Sequence, residues 1–387
     1  MKYAGLTIAL LALAACDSDR PAPLAPDVAA PTLSRDSRDN DSRNDEPGVV
    51  YTMSNQVAGN AVLAFHRGAN GRLVAGGSFA TGGTGTGGGL GNQGALAFSR
   101  DDRFLFVVNP GSNDVSTFRM KHGDLEFAGK ISSGGIRPIS VTSARGLVYV
   151  LNGGGTGNIV GFRVNGHGVL TPIANATRPL SSGASGAAQI EFDTNGDRLV
   201  VTEKATNIIA TYRVDDSGHP DAAVFTPSSG QTPFGFAFRR NVLIVSEALG
   251  GAPDASVTSS YRILGNGTLG VISGSVPTTE TAACWIVVTG NGRYAYASNT
   301  GSGTITGYDV SPIGRLERLD ENGETAVIGA GTGPIDMALS GNSHYLYVLN
   351  SGTETIRVLR VHSNGSLTAV DGGIDGLPNG ANGLVAK

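Results

Sequence analysis

The stretch FLFVVN at residues 104–109 decides the fold, because related stretches recur along the chain. Each is a run of aromatic and β-branched residues, typical of a buried strand, that ends in a polar residue before a glycine-rich turn. Seven such runs end at Asn55, Asn109, Asn152, Glu203, Glu247, Asn299 and Asn350. Their ends are separated by roughly 40 to 55 residues, the length of one propeller blade. The repeat therefore predicts an all-β, seven-bladed β-propeller with four antiparallel strands per blade.

A further apolar run precedes each of these strands except the first and would form the innermost strand of its blade. Examples are PISV at 138–141, FGFAF at 234–238 and PIDMAL at 334–339. For the first blade, the candidate lies at the opposite end of the chain, at residues 379–386. We therefore expect the C-terminal strand to join the N-terminal blade and close the ring, which leaves no unpaired sheet edge at the seam. A β-sandwich, the alternative, would not require seven units of similar length.

The first sixteen residues indicate the cellular compartment. Lys2 precedes an apolar run at 4–13 that is too short to span a bilayer, and residues 13–16 read Leu-Ala-Ala-Cys. This ending resembles the lipobox of bacterial lipoproteins, which implies cleavage after Ala15 and acylation of Cys16. The alternative is an ordinary secretory signal followed by an incidental cysteine. We expect a lipid-anchored protein of the bacterial cell envelope, on the periplasmic side of the cytoplasmic membrane or at the outer membrane.

Composition divides the chain into three parts. Residues 1–15 are the predicted signal peptide, residues 16–46 are a polar segment predicted to be a disordered tether, and residues 47–387 form the propeller. A net charge of −4 argues against a nucleic-acid partner, and the lipid anchor is the expected membrane contact. The single tryptophan cannot supply the repeated tryptophans of pyrroloquinoline quinone propellers. We expect no cofactor and a monomer.

Four segments resemble a known family. They are GGTGTGGGLGNQGAL at 82–96, TEKATN at 202–207, PFGFA at 233–237 and CW at 284–285. Together they resemble the lactonase-type seven-bladed propellers, which include 6-phosphogluconolactonase and carboxymuconate cyclase relatives. The resemblance implies a lactonase or a lactone-forming cyclase acting on a sugar or aromatic lactone at the top of the central channel. Because one fold hosts many functions, a non-catalytic propeller that binds a carbohydrate, peptide or protein partner through its top face is the alternative.

Topology suggests where such a site would lie. We call the upper face the one at which innermost strands begin and second strands end. The seven polar residues that end the second strands would ring its mouth, and either Glu203 or Glu247 could act as general base. Two alternatives are that the asparagines only close turns and that the two glutamates are carboxylates paired with neighbours such as Lys204. The candidate substrate-binding residues are Arg137, Gln189, Lys204, Trp285, Asn109, Asn152, Asn299 and Asn350.

The histidines and the glycines limit the chemistry. All six histidines fall in or near turns predicted on the opposite, lower face, so we expect no metal site at the upper mouth. Lactone opening would then rely on a glutamate base, with Arg137, Gln189 or backbone amides stabilising the oxyanion. The glycine-rich run at 76–94 opens no predicted helix, which favours a mobile loop between blades one and two over a phosphate cradle.

Overall fold

A computed structural model describes residues 47–121 and 124–387 of the chain, which form seven antiparallel sheets. The predicted signal peptide, Cys16 and the predicted tether lie outside the described residues. The first blade uses β1 (Gly48–Met53), β2 (Ala61–Arg67) and β3 (Leu73–Ala80). The second uses β4 (Leu96–Phe98), β5 (Phe104–Asn109), β6 (Asp114–Lys121) and β7 (Asp124–Ser132). The third uses β8 (Pro138–Ala144), β9 (Leu147–Asn152), β10 (Asn158–Val164) and β11 (Leu170–Pro179).

The remaining blades repeat this order from the axis outward. Blade four uses β12 (Ala187–Phe192), β13 (Arg198–Glu203), β14 (Ile208–Arg213) and β15 (Val224–Pro227). Blade five uses β16 (Pro233–Arg239), β17 (Val242–Glu247), β18 (Val257–Ile263) and β19 (Leu269–Pro277). Blade six uses β20 (Ala283–Val288), β21 (Tyr294–Asn299), β22 (Thr304–Val310), β23 (Leu316–Arg318) and β24 (Ala326–Val327). Blade seven uses β25 (Pro334–Leu339), β26 (Tyr345–Asn350), β27 (Thr355–Val361) and β28 (Leu367–Ile374).

The predicted closure is confirmed. The last strand, β29 (Asn382–Ala386), pairs antiparallel with β1 and is the innermost strand of the first blade. Below the paired residues, Val49 and Lys387 exchange two backbone hydrogen bonds of 3.1 and 2.9 Å. The fold is therefore the predicted seven-bladed propeller. One blade departs from four strands, because both β23 and β24 pair with β22 and divide the outer position of blade six.

The second strands end where the repeat predicts, with one exception. In blades two to seven the polar residue is the last residue of the strand. In blade one, β1 stops at Met53, and Asn55 has a φ of 51°, a left-handed conformation that asparagine tolerates better than most residues. Outside the strands, the described residues include a single turn of 3₁₀ helix at Leu249–Gly251, and they contain no helix that could serve as a membrane span.

Tyrosines on the second strands connect blade three to blade four and blade six to blade seven. Tyr149 and Tyr296 each lie three residues before the end of their strand and are fully buried. The Tyr149 hydroxyl donates to the Gly218 carbonyl in the next blade at 2.7 Å, and the Tyr296 hydroxyl donates to the Gly365 carbonyl at 2.8 Å. Burial of such rings contributes a large apolar area, and the hydroxyl keeps its hydrogen bond. The hydrophobic clusters combine residues of neighbouring blades, so the core lies between blades.

Candidate functional site

The ring of polar residues on the upper face is fully buried. Asn109 shows its geometry: Oδ1 accepts from the Thr81 hydroxyl at 2.7 Å, and Nδ2 donates to Ser116 Oγ at 2.8 Å. Asn152 likewise donates to the Ser133 carbonyl at 3.2 Å. Thr81 and Ser133 both belong to loops that lead into the blade from its predecessor. Asn299 and Asn350 donate to threonines of the neighbouring third strand, Thr304, Thr306 and Thr355. These side chains hold the turns around them.

Glu203 and Glu247 occupy the same structural position as the asparagines and are also fully buried. The Glu203 carboxylate accepts the Ser181 amide at 3.0 Å, the Ser181 hydroxyl, and the Thr206 hydroxyl at 2.9 Å. The Glu247 carboxylate accepts three hydroxyls, from Ser228, Tyr261 and Ser259, at 2.5, 2.9 and 2.6 Å. The two carboxylates share no partner.

A local reason explains why these two blades carry glutamate. Apart from one backbone amide, every partner of the two carboxylates is a hydroxyl, and a carboxylate is an acceptor on both oxygens. Burial and the Glu247 charge raise the pKa of Tyr261 to about 12, so that phenol stays a neutral donor. This arrangement fits a structural role. The catalytic assignment of Glu203 and Glu247 stays a prediction.

The glycine-rich segment between blades one and two closes the upper end of the axis. Asn92 is fully buried and Gln93 is 8% exposed. The backbone N–H of Gln93 donates to the Ala188 carbonyl at 3.1 Å, and the backbone N–H of Val141 donates to the Gly94 carbonyl at 2.9 Å. The expected mobile loop is therefore a segment held by hydrogen bonds to blades three and four. We call residues 90–94 the axial plug.

Three residues predicted to bind substrate hydrogen-bond to this segment, and their role in substrate binding stays a prediction. Trp285 is buried, and its Nε1 donates to the Asn92 carbonyl at 2.7 Å. Lys204 donates from Nζ to the Gly91 carbonyl and lies 4.6 Å from the centroid of the Phe234 ring. Arg137 donates from Nη2 to the Gly89 carbonyl at 3.4 Å. Their common contact is this segment of the chain.

Two glutamine side chains each hydrogen-bond to the backbone N–H and C=O of one residue in a neighbouring innermost strand, as an adjacent strand would. Gln93 donates from Nε2 to the Ile286 carbonyl at 2.9 Å, while its Oε1 accepts the Ile286 amide at 3.2 Å. Gln189 does the same with Phe236, donating at 2.9 Å and accepting at 2.7 Å. Because Gln189 Nε2 has a second N–H, it also donates to Glu191 Oε2 at 2.9 Å. Gln189 therefore fixes a carboxylate on the axis.

Below the axial plug, the innermost strands line an open cavity made of two neighbouring parts. One part has a volume of about 350 Å³ and is lined by β4, β8, β12, β25 and β29. The other has a volume of about 360 Å³ and adds β16 and β20. Both parts share Gln93, Arg100, Glu191 and Phe192. A cavity of this size with fixed polar groups in its walls is large enough for a small molecule.

Two carboxyl groups in this axial cavity have raised pKa values, and a guanidinium group lies near them. Burial raises the pKa of Glu191 to about 8, an effect that the Gln189 N–H only partly offsets. Burial also raises the pKa of Asp336 to about 7, although backbone amides of Met337, Gly94 and Leu384 donate to its carboxylate. Arg100 lies exposed at the lower end and donates from Nη2 to the Thr194 carbonyl at 2.8 Å. A basic carboxylate and a cation therefore line the same space.

The histidines that the structure describes lie outside the walls of this cavity. The described histidines, His66, His167, His219, His344 and His362, line neither of its two parts. Within residues 47–121 and 124–387, no group of three or more potential ligands could hold a metal ion. Among the residues that line the axial cavity, Glu191 and Asp336 carry the carboxylates that could take a proton from water.

Glu191, Arg100 and the axial plug were not predicted as parts of the site. Glu191 lies in AAQIEF at 187–192, where strand alternation places Gln189 and Glu191 on one face. A carboxylate within an innermost strand was the signal that could have identified it. The axial plug had no comparable signal, because its partners lie 47 to 193 residues away along the chain.

Comparison with known proteins agrees with the fold. The family model described as lactonase, 7-bladed beta-propeller matches residues 49–180 and 265–377. The chain belongs to this family. The unmatched interval, 181–264, contains Glu203, Glu247, Gln189 and Glu191. No protein of curated function matches the sequence.

Solved structures share the architecture at low sequence identity. A candidate 6-phosphogluconolactonase from Bacteroides uniformis has a TM-score of 0.70 and 18% identity, over 87% of this chain and 99% of that one. A similar candidate from Bacteroides fragilis has a TM-score of 0.68 and 17% identity, over 90% and 99%. The periplasmic gluconolactonase of Pseudomonas aeruginosa has a TM-score of 0.66 and 16% identity, over 87% and 99%. At these identities the likeness concerns the fold.

Proposed function

We propose that this protein is a lactonase of the bacterial cell envelope that hydrolyses its substrate in the axial cavity. The observation that carries the proposal is the position of Glu191, fixed by Gln189 in the wall of a cavity that Arg100 also lines. Glu191 and Arg100 are the charged residues common to both parts of this cavity. Membership of the lactonase family and the names of the structural neighbours support the reaction class.

Lactone hydrolysis requires a base for the attacking water and a group that stabilises the oxyanion. The Glu191 carboxylate takes a proton from water as the water oxygen bonds to the lactone carbonyl carbon. The Arg100 guanidinium stabilises the oxyanion, using N–H groups other than those on Nη2. The ring C–O bond then breaks, and the departing ring oxygen takes the proton back from Glu191. The product is a hydroxy acid, which ionises in water.

The test is a hydrolysis screen of the purified full-length protein on sugar, aliphatic and aromatic lactones. Glu191→Gln should lower kcat by about two to four orders of magnitude, the usual contribution of a general base. Glu317→Gln, on the outer strand β23 of blade six, is the matched control and should keep wild-type activity. With Glu191 as base, kcat/KM should rise with pH until the carboxyl is ionised, near pH 8. Full activity of Glu191→Gln would refute the mechanism.

The glutamates predicted from the sequence provide a direct alternative. In our proposal Glu203→Gln and Glu247→Gln act on stability and leave turnover by the folded protein within a few-fold of wild type. If either variant loses about two or more orders of magnitude in kcat while Glu191→Gln does not, the base is on the upper face. Melting temperatures of all variants separate loss of folding from loss of catalysis.

A binding protein without catalytic activity is the second candidate. It is favoured by the hydrogen bonds that the Glu203 and Glu247 carboxylates already accept and by the position of the described histidines outside the walls of the axial cavity. Its ligand would be a carbohydrate, a peptide or a protein. Calorimetric titration with candidate ligands, together with a negative lactone screen, would establish this function in place of hydrolysis.

The envelope location is part of the proposal and rests on the Leu-Ala-Ala-Cys sequence ending at Cys16. One acyl chain holds a protein only weakly on a membrane, whereas several give a stable anchor. Wild-type protein should sediment with membranes and be released by detergent. Cys16→Ser should give unprocessed or freely soluble protein. Processed Cys16→Ser protein that stays in the membrane fraction would refute lipid anchoring.

A further inference from the structure

The innermost strand of blade five carries backbone groups that face the axis. Gln189 of blade four accepts the Phe236 N–H at 2.7 Å and donates to the Phe236 carbonyl at 2.9 Å, so both Phe236 groups point away from β17. In an antiparallel ladder, successive residue pairs alternate between hydrogen-bonded and unbonded. The pairing with β17 is regular from Phe236 to Arg239. The N–H and C=O of Phe238, two residues on, therefore also point away from β17 and toward the axis.

The two Phe238 backbone groups differ from those of Phe236 in having no protein partner. Among residues 47–121 and 124–387, no loop or side-chain group hydrogen-bonds to either of them. Exposure agrees with this difference, because Phe236 is fully buried whereas Phe238 is half-buried and lines the axial cavity. We call the N–H and C=O of Phe238 the open backbone pair. Because backbone polar groups in a protein interior need partners, this pair is a contact for a ligand.

The preceding interface between blades shows how the protein itself can fill such positions. Ser140 Oγ accepts the Ile190 N–H, and Thr142 Oγ1 accepts the Phe192 N–H, both at 3.1 Å. Side chains two residues apart in β8 thus serve N–H groups two residues apart in β12. Blade three therefore fills two successive positions on the inner edge of blade four.

Blade four fills only one such position on blade five. By the same spacing, the residue of β12 that would serve Phe238 is Glu191, two residues after Gln189. Its Oε2 instead accepts the Gln189 N–H at 2.9 Å. Glu191 and Phe238 both line the second part of the axial cavity. The open backbone pair therefore lies in the cavity at the level of the Glu191 carboxylate.

We propose that the open backbone pair binds a ligand group that carries a hydrogen-bond donor beside an acceptor, as a primary amide, a lactam or a urea does. Gln189 demonstrates the fit, because its carboxamide makes these two hydrogen bonds with Phe236. A planar amide holds its donor and acceptor in fixed positions, so little freedom is lost on binding. This inference goes beyond the proposed function, since it concerns binding and holds with or without hydrolysis. A substrate of the proposed hydrolysis would carry such a group besides its ester.

The test is a ligand-observed NMR titration of the full-length protein with δ-valerolactam and with N-methyl-δ-valerolactam, which lacks the donor. We expect the first lactam to bind at least about fivefold more tightly, the contribution of one hydrogen bond of ordinary strength. Phe238→Pro removes the N–H of the pair at a free strand edge, where proline is tolerated, and should abolish this preference. Phe238→Ala, which loses the ring and keeps the N–H, is the matched control and should retain the preference.

Two substitutions of Glu191 give a second test that leaves Phe238 unchanged. The carboxamide introduced by Glu191→Gln can bond to the open backbone pair, as Gln189 bonds to Phe236, and should weaken binding of δ-valerolactam about fivefold or more. Glu191→Ala keeps the pair open and should bind this lactam as the wild type does.

The outcomes are independent of the hydrolysis screen. Equal binding of the two lactams to the wild-type protein would overturn the inference and leave the proposed function standing. A similar loss of binding in Glu191→Gln and Glu191→Ala would place the contact on the carboxylate and overturn it as well. If the Tm of Phe238→Pro shows that this variant does not fold, the comparison of the two Glu191 variants decides. A protein that hydrolyses no lactone but shows the expected preference would refute the proposed function and support this inference.

Discussion

Replacing Gln93 with alanine should loosen the axial plug. Its side-chain amide makes two hydrogen bonds to the Ile286 backbone, at 2.9 and 3.2 Å. Each contributes about 1 kcal/mol net, and a backbone group left dry and unpaired costs about 1–3 kcal/mol. The cavity below, about 350 Å³ in one part, has room for water to replace the lost partners. We therefore expect the free energy of unfolding to fall by about 2 kcal/mol.

Urea denaturation followed by two signals is the assay. Trp285 is the only tryptophan and donates to Asn92 of the axial plug, so its fluorescence reports on this segment. Circular dichroism reports on the whole ring. In Gln93→Ala the tryptophan emission should shift to the red at lower urea than the circular dichroism changes. Gln56→Ala, which also removes two hydrogen bonds but at the surface, is the control. A loss in Gln93→Ala no larger than in Gln56→Ala would refute the reasoning.

Other perturbations should act on other parts of the ring. Glu247→Ala should lower the free energy of unfolding by about 3 kcal/mol because three hydroxyls lose their acceptor, and Glu247→Gln should cost less, as chemical denaturation can measure. The folded pKa values of Glu191, about 8, and Asp336, about 7, lie above ordinary values near 4, so the folded chain keeps protons that the unfolded chain releases. Its free energy of unfolding should therefore fall between about pH 4 and pH 8, by at most about 1.4 kcal/mol per pH unit and group, and Glu191→Gln should flatten denaturation curves measured across this range. Deletion of residues 377–387 should abolish the cooperative melting transition, because it removes β29 and exposes β1; a deletion variant with wild-type Tm would contradict the closure.

The fold was predictable because its signal is local and repeated. Each second strand carries its own apolar run and its own polar end, as in Leu147–Asn152, and seven copies reinforce one another. The closing strand could be located by elimination, since the first blade lacked an innermost strand and the residues before Lys387 supplied one. Blade geometry then placed Asn109 and Glu247 at the upper face.

The candidate site was less predictable because it depends on where side chains point. Sequence spacing placed Glu203 on the upper face. Its carboxylate, however, accepts a hydrogen bond from Ser181, 22 residues earlier, and no repeat pattern identifies that partner. Gln189 was predicted as a ligand-binding residue, and the structure places it beside Glu191, which was not. The predicted contacts of Trp285 and Lys204 with substrate stay predictions, and their contacts in the structure are with a segment more than 100 residues distant. Such pairings are tertiary contacts, and no periodic pattern in a single sequence marks them.

The seam between β1 and β29 has a consequence for biogenesis. The first blade receives its innermost strand from residues 382–386, so the ring cannot close until the end of the chain has been synthesised and is free to move. Until then β1 presents an open edge, and the contact between the two termini spans nearly the whole length of the propeller, which slows folding. If the protein is exported, as proposed above, its topology would keep the chain from reaching the native state while it crosses the membrane. For an exported protein this delay is useful, because the polypeptide stays unfolded enough to cross the membrane until its last strand is available.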